Sequence, residues 1–251
     1  MSKPNVVICD NNAALNQEAA RRFAALSTEA IAARGRFLVS LSGGSTPKAL
    51  YQLLATPEWR NNINWSKTHL CWGDERFVPQ DNPQSNYRMT NEALLSKIPI
   101  PSGNVHAVPT QLGKAEEAAA AYEKTIRQVC GAKEGETPRF DLILLGLGEN
   151  GHTASLFPHS PLLHEMNRLV AADFVQEVNL YRITMTVPLI NHARCGIFLV
   201  SGSGKAAVLK EVLTGPNQPE ELPAQLIKLD QGMLIWLVDK PAANLLPAAV
   251  A

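Results

Sequence analysis

The sequence predicts an α/β sandwich around a mostly parallel sheet, and three observations carry the prediction. Short runs rich in Val, Ile and Leu recur along the 251 residues. Nearly all are apolar on both faces, as strands covered on both sides must be. Longer segments of helical periodicity separate them, which is the rhythm of βαβ units.

In chain order, VVIC (6–9) is the first strand, and an amphipathic helix over Ala13–Ala33 follows. FLVSLS (37–42) is a buried strand ending in Gly43 and Gly44. There Ser45 or Thr46 can cap a helix over Pro47–Leu54, with Pro47 suited to the first helical position, where its missing N–H costs nothing. THLCW (68–72) precedes a helix over Tyr87–Lys97, and VHAVP (105–109) is a further strand. Lys114–Cys130 has the composition of a solvated helix, with Glu117 and Glu123 at exposed positions. FDLILLGL (140–147), RITMTV (182–187), GIFLVS (196–201) and MLIWLV (233–238) complete the strands, and a helix begins at Lys205. With no visible linker or repeat, residues 1–251 are expected to form one domain.

Charge and composition narrow the function classes. The 23 basic and 23 acidic residues balance and form no polybasic block, so neither nucleic acid nor an anionic membrane is an expected partner. The start, MSKPNVVICD, has no long apolar core, and no stretch reaches the roughly 18 apolar residues of a membrane span, so a cytoplasmic protein is expected. Cys9, Cys71, Cys130 and Cys195 are scattered without CxxC spacing and read as buried free thiols.

Ligands of open sheets collect beyond the carboxyl ends of the strands, and four such loops carry chemistry. The turn at Gly43 and Gly44 opens a helix, so bare N–H groups and the helix dipole suit a phosphate, with Ser45 alongside. WGDERFVP places Asp74, Glu75 and Arg76 directly after THLCW, with Arg88 of SNYRM near the next helix start. GLGENGHTASLFP (146–158) fits a dinucleotide fingerprint at Gly146, Gly148 and Gly151, and Asp173 stands where a ribose-binding carboxylate would. Pro158 and Pro161, however, leave no room for the crossover helix that a nicotinamide site needs. The glycines therefore frame His152, a residue able to take a proton from water near neutrality. SGSGKAAVL puts Lys205 at a helix start but lacks the first glycine and the Ser/Thr of a P-loop, so it suits one phosphate rather than a nucleoside triphosphate, and Arg182 can join it. The other histidines make no metal motif, and a small phosphorylated metabolite attacked by water, or deprotonated by a base, is the expected substrate.

LSGGSTP, WGDERFVP, SNYRM and GLGENGHTASLFP, in this order, resemble the 6-phosphogluconolactonase family over essentially the whole chain. The resemblance implies a Rossmann-like α/β/α sandwich, shared with glucosamine-6-phosphate deaminases, and hydrolysis of 6-phospho-D-glucono-1,5-lactone in the oxidative pentose phosphate pathway without cofactor or metal. It implies His152 as the general base. Arg182 and Lys205, with the backbone around Gly43, Gly44 and Ser45, would hold the phosphate, and Asp74 and Arg76 would sit at the sugar. Many relatives have Asp where this chain has Asn150, which can orient an imidazole but cannot stabilise imidazolium by charge. Three rivals remain. A glucosamine-6-phosphate deaminase or isomerase lacks SLFP, a Ser–Lys hydrolase at Ser45–Lys48 lacks a K-T-G partner, and a sugar-phosphate sensor would bind without turnover.

Overall fold

The computed structural model describes residues 4–133, 135–248 and 250. The elements are β1 (Asn5–Cys9), α1 (Asn12–Arg34), β2 (Phe37–Leu41), α2 (Ser45–Leu54), α3 (Pro57–Arg60), β3 (Thr68–Trp72), β4 (Asp74–Arg76), α4 (Asn86–Ala93), α5 (Ala115–Cys130), β5 (Leu142–Gly146), β6 (Val170–Val175), β7 (Leu180–Met185), α6 (Val187–Asn191), β8 (Cys195–Val200), α7 (Ala206–Thr214), β9 (Met233–Asp239) and α8 (Lys240–Ala243). A parallel sheet of six strands runs β1-β9-β8-β5-β2-β3, and a second sheet of three antiparallel strands runs β4-β7-β6.

The apolar runs form the central strands because both faces are covered: every residue of β2 and β8 is buried. α1 starts where the Asn11 side chain accepts the Ala14 N–H and ends at Gly35, whose φ of 77° closes the last turn in the left-handed region. Its buried Phe23 meets Phe37 of β2 edge to face at 5.2 Å, and Phe198 stacks on Trp236 across β8 and β9 at 3.8 Å. One hydrophobic core includes residues of both sheets.

Several sequence expectations need correction. The cap of α2 is Gly44, at φ 102°, a conformation open to glycine; Ser45 is already the first helical residue, and Pro47 is third. VHAVP is no strand: one bridge, Leu70 to Val105, prolongs the edge of β3 before Pro109, which has no N–H to donate. RITMTV belongs to the small antiparallel sheet as part of β7, beside β6, which its Ala and Asp content concealed. α4 stops at Ala93 because Leu94 leaves helical space at φ −135°. Glu123 is half-buried rather than exposed: its carboxylate accepts the N–H groups of Leu169 and Val170 at 2.8 and 3.3 Å, where the chain enters β6.

Two features of this topology position a site. β2 lies between β3 and β5, so the chain leaves β2 toward one side of the sheet and returns on the other. The carboxyl ends of β2 and β5 therefore flank a switch point. In the small sheet the register aligns Asp74 with Thr184 and Ala171, and Arg76 with Arg182 and Asp173. Since strand side chains alternate, these residues share one face, and Glu75 points to the other.

Candidate active site

The loops after β2, β5 and β8 meet β4 at a cleft of about 230 Å³, lined by Gly43, Gly44, Asp74, Arg76, His152 and Lys205 among others. Gly43 is as small as it must be: a Cβ there would lie 2.2 Å from Oδ1 of Asn86, the side chain whose Nδ2 donates to the Asp74 carbonyl at 2.9 Å. Gly44, Ser45 and Thr46 begin α2 without any side-chain cap, which leaves its first N–H groups facing the cleft as anion donors.

The 146–152 loop folds around His152. The Gly148 N–H donates to the His152 carbonyl at 2.8 Å, and the Thr153 hydroxyl donates to the Gly146 carbonyl at 2.9 Å. The imidazole passes directly over Gly148 and stacks on Phe157 with ring centroids 4.2 Å apart. No long helix follows this loop, only a 3-10 turn at Pro161–His164, and Asp173 accepts the Ser160 hydroxyl at 2.6 Å. The dinucleotide arrangement is thus replaced by a frame for one imidazole.

Oδ1 of Asn150 receives both the His152 backbone N–H at 3.3 Å and Nδ1 at 2.5 Å. A backbone N–H can only donate, so the facing atom is the amide oxygen, and Nδ1 must carry the ring proton. Nε2 then keeps its lone pair. Burial is the main cause that lowers the imidazole pKa, to about 4; Lys205, Arg182 and Arg76 lower it further, and Asp74 opposes them. At neutral pH His152 is therefore an uncharged, oriented base.

Asp74 is buried, and its Oδ2 accepts the Ser155 hydroxyl at 2.8 Å, while the Ser155 N–H donates to the Thr184 hydroxyl at 3.2 Å. Orientation and charge are thereby divided at His152: Asn150 makes the hydrogen bond and Asp74 supplies the negative field. Glu75, on the opposite face of β4, is a structural group. It accepts the N–H groups of Arg76, Asn86 and Tyr87 at 2.7–2.8 Å and the Ser85 hydroxyl at 3.1 Å, clamping the start of α4. Burial raises its pKa, and those hydrogen bonds pull it back.

Arg76 and Arg182 are cross-strand neighbours, and the Nε of each is buried without a protein partner. Burial, then the charge of Arg76, lowers the Arg182 pKa, and Asp74 and Glu75 oppose them, so both guanidinium groups keep a buried donor free for an anion. Arg182 and Asn150 stand outside the cleft lining, the first beside Arg76 and the second against His152. Lys205 caps α7 and approaches Glu149 at 3.8 Å. Arg88 does not join the cleft: its Nε donates to Glu92 at 2.8 Å and its Nη1 to the Asp81 carbonyl at 2.6 Å.

The residues that sequence reasoning missed are supporting ones: Asn86, Phe157, Thr184 and Glu149. Ser155 stands three residues from His152, but its bond to Asp74 spans 81 positions and leaves no local signal. All four cysteines are free. Among the described residues no three His, Cys, Asp or Glu side chains group as metal ligands, and no helix is long and apolar enough to cross a membrane.

Fold and site together define an α/β enzyme with a neutral base set among cations, suited to a small phosphorylated substrate. The chain belongs to the glucosamine-6-phosphate isomerase/6-phosphogluconolactonase family, whose pattern matches residues 10–236. It is 45% identical to the 6-phosphogluconolactonase of Synechocystis sp., over 88% of this chain and 89% of that protein. It is 41% identical to the 6-phosphogluconolactonase of Nostoc sp., over 85% and 86%. The solved 6-phosphogluconolactonase of Trypanosoma cruzi superimposes with a TM-score of 0.84 at 32% identity, over 97% of both chains.

Proposed function

We propose that this chain hydrolyses 6-phospho-D-glucono-1,5-lactone to 6-phospho-D-gluconate, a step of the oxidative pentose phosphate pathway. Similarity to 6-phosphogluconolactonases supports the reaction, and the observation that carries the mechanism is the neutral His152 with a free Nε2 among three cations. Nε2 takes a proton from water as the hydroxyl attacks the lactone C1. The tetrahedral oxyanion collapses, the bond from C1 to the ring oxygen breaks, and the imidazolium returns the proton to that oxygen. Asp74 stabilises the transient imidazolium, and Asn150 holds the ring. The 6-phosphate is held by Lys205, Arg182 and the N–H groups at Gly44 and Ser45, with Arg76 and Asp74 at the sugar. The Gly43–Gly44 turn and Arg76 are the two candidate oxyanion donors. A single domain in the cytosol, working without cofactor or metal, completes the reading.

The direct test is hydrolysis of freshly generated lactone, corrected for its spontaneous opening. Saturable acceleration is expected; its absence from folded protein would defeat the proposal, and release of ammonia from glucosamine 6-phosphate would place the chain with the deaminases instead.

Lys205→Ala removes a charge-assisted contact of about 1.5–3 kcal/mol, so kcat/KM for the phosphorylated lactone should fall roughly 10- to 100-fold. Unphosphorylated gluconolactone should be nearly unaffected, and equal losses on both substrates would take Lys205 out of the phosphate site.

The pH dependence follows from the field at His152. The base works only when neutral, so loss of kcat/KM through His152 should set in only below the region of pH 4, apart from the change at about pH 6 that belongs to the second ionisation of the substrate phosphate. A bound phosphate offsets the cations that depress the imidazole pKa, so the acid limb of kcat should lie at higher pH than that of kcat/KM. Asp74→Asn removes the one charge holding the pKa up and should shift the kcat/KM limb downward; an upward shift would contradict the role given to Asp74.

A further inference from the structure

At the opposite, N-terminal edge of the main sheet, arginines gather with no part in the mechanism above. Arg34 ends α1, Arg139 lies three residues before Leu142 of β5 with Phe140 and Asp141 between, and Arg194 directly precedes β8. Arg34 and Arg194 both direct Nε at Oδ1 of Asp141, at 2.8 and 3.4 Å, while Oδ2 of this buried carboxylate accepts the Leu38 N–H at 2.9 Å. Asp141 is thus fully engaged. Arg139 donates Nη2 to the Gln231 carbonyl at 2.8 Å, a neutral partner, and its Nε is buried with none.

A cavity of about 450 Å³ opens beside this group. Five guanidinium groups and two carboxylates line it, Arg21 and Arg22 being paired to Glu18 at its rim and the other carboxylate, Glu29, being exposed. In a chain of balanced total charge this is a local excess of positive charge. Burial, then the charges of Arg139 and Arg34, push the Arg194 pKa down, and Asp141 alone opposes them. Apart from Gln231 the remaining wall is apolar, with Ala25, Leu26, Cys195, Ile235 and Met233, and Met233 is 56% exposed although it begins a central strand pairing. Guanidinium forks beside an exposed apolar surface, in a volume within the usual range for small ligands, suit an anion that also carries an apolar planar ring.

We propose that this cavity is a second ligand site, separate from the lactone cleft, that takes a nucleoside diphosphate. The diphosphate lies against Arg34, Arg139 and Arg194, and the base lies over Met233 and Leu26.

Isothermal titration with ADP, pyrophosphate and adenosine, each at fixed ionic strength, tests this on the intact chain. ADP should bind saturably, and pyrophosphate and adenosine at least tenfold more weakly. Arg139→Gln and Met233→Glu should each weaken ADP binding tenfold or more, with lactone hydrolysis unchanged in the absence of ADP. Met233 is a surface position, so its variant tests the site even if Arg139→Gln were to disturb the fold, and Arg139→Lys should recover part of the binding. Lys205→Ala should bind ADP as the wild type does. No saturable ADP binding, binding lost in Lys205→Ala, or binding kept in both Arg139→Gln and Met233→Glu would each overturn the proposal, and none of these results bears on lactone hydrolysis.

Discussion

Replacing His152 with alanine is expected to lower kcat for the phosphorylated lactone by about 10²- to 10⁴-fold, the usual contribution of a positioned general base, with KM little changed. The phosphate contacts assigned to Lys205, Arg182 and the start of α2 do not pass through the imidazole, so ground-state binding should survive. The residual rate should come from oxyanion stabilisation and substrate positioning. Single-turnover and steady-state rates, each corrected for spontaneous opening, measure the effect. A large rise in KM with intact kcat would make His152 a binding group and leave the cleft without a base.

Gly148→Ala should be nearly as harmful while leaving the fold intact. A Cβ at this position would sit 2.0 Å from Nδ1, 2.2 Å from Cε1 and 2.7 Å from Cγ of His152, so the whole ring must move, not only its tip. Gly148 is not among the glycines at positive φ, and alanine therefore suits its backbone. The displaced ring loses Asn150 and its stacking on Phe157, and kcat should drop roughly 100-fold as the aligned base is lost. Thermal unfolding should remain close to wild type. Full kcat in a folded Gly148→Ala protein would show that the imidazole position seen here is not the working one.

How far the site is legible in sequence differs from residue to residue. Gly43 and Gly44 stand directly after an apolar run and His152 and Lys205 in the short turns that follow one, and the preference of ligands for the carboxyl ends of parallel strands locates them without a structure. Arg88 shows the limit of that logic. A cation near a helix start resembles an anion ligand, yet Glu92 one turn on and the Asp81 carbonyl take its Nε and Nη1 and hold it away from the cleft lining. Glu123 carries the same lesson in reverse: its place on an Ala-rich helix suggests solvent, whereas β6 arrives from far along the chain to use its carboxylate.

The basal arginines were legible only as residues. Arg34, Arg139 and Arg194 are dispersed through the chain, and nothing in their neighbourhoods announces a cluster. Parallel strands bring them together, since each lies at or before the start of a strand or the end of a helix at the same sheet edge.

By itself the sequence determined the α/β class, the parallel strands and the loop that frames His152, because apolar periodicity and turn-forming glycines act over a few residues. The tertiary structure alone decided which of the adjacent Asp74 and Glu75 lines the cleft with His152. Alternate residues of a strand face opposite sides, and the side turned to the cleft is set by the pairing of β4 with β7, which joins segments far apart in the chain. That pairing also sets Arg76 beside Arg182. The electrostatic character of the site depends on it, because a charge is felt through space and not along the chain.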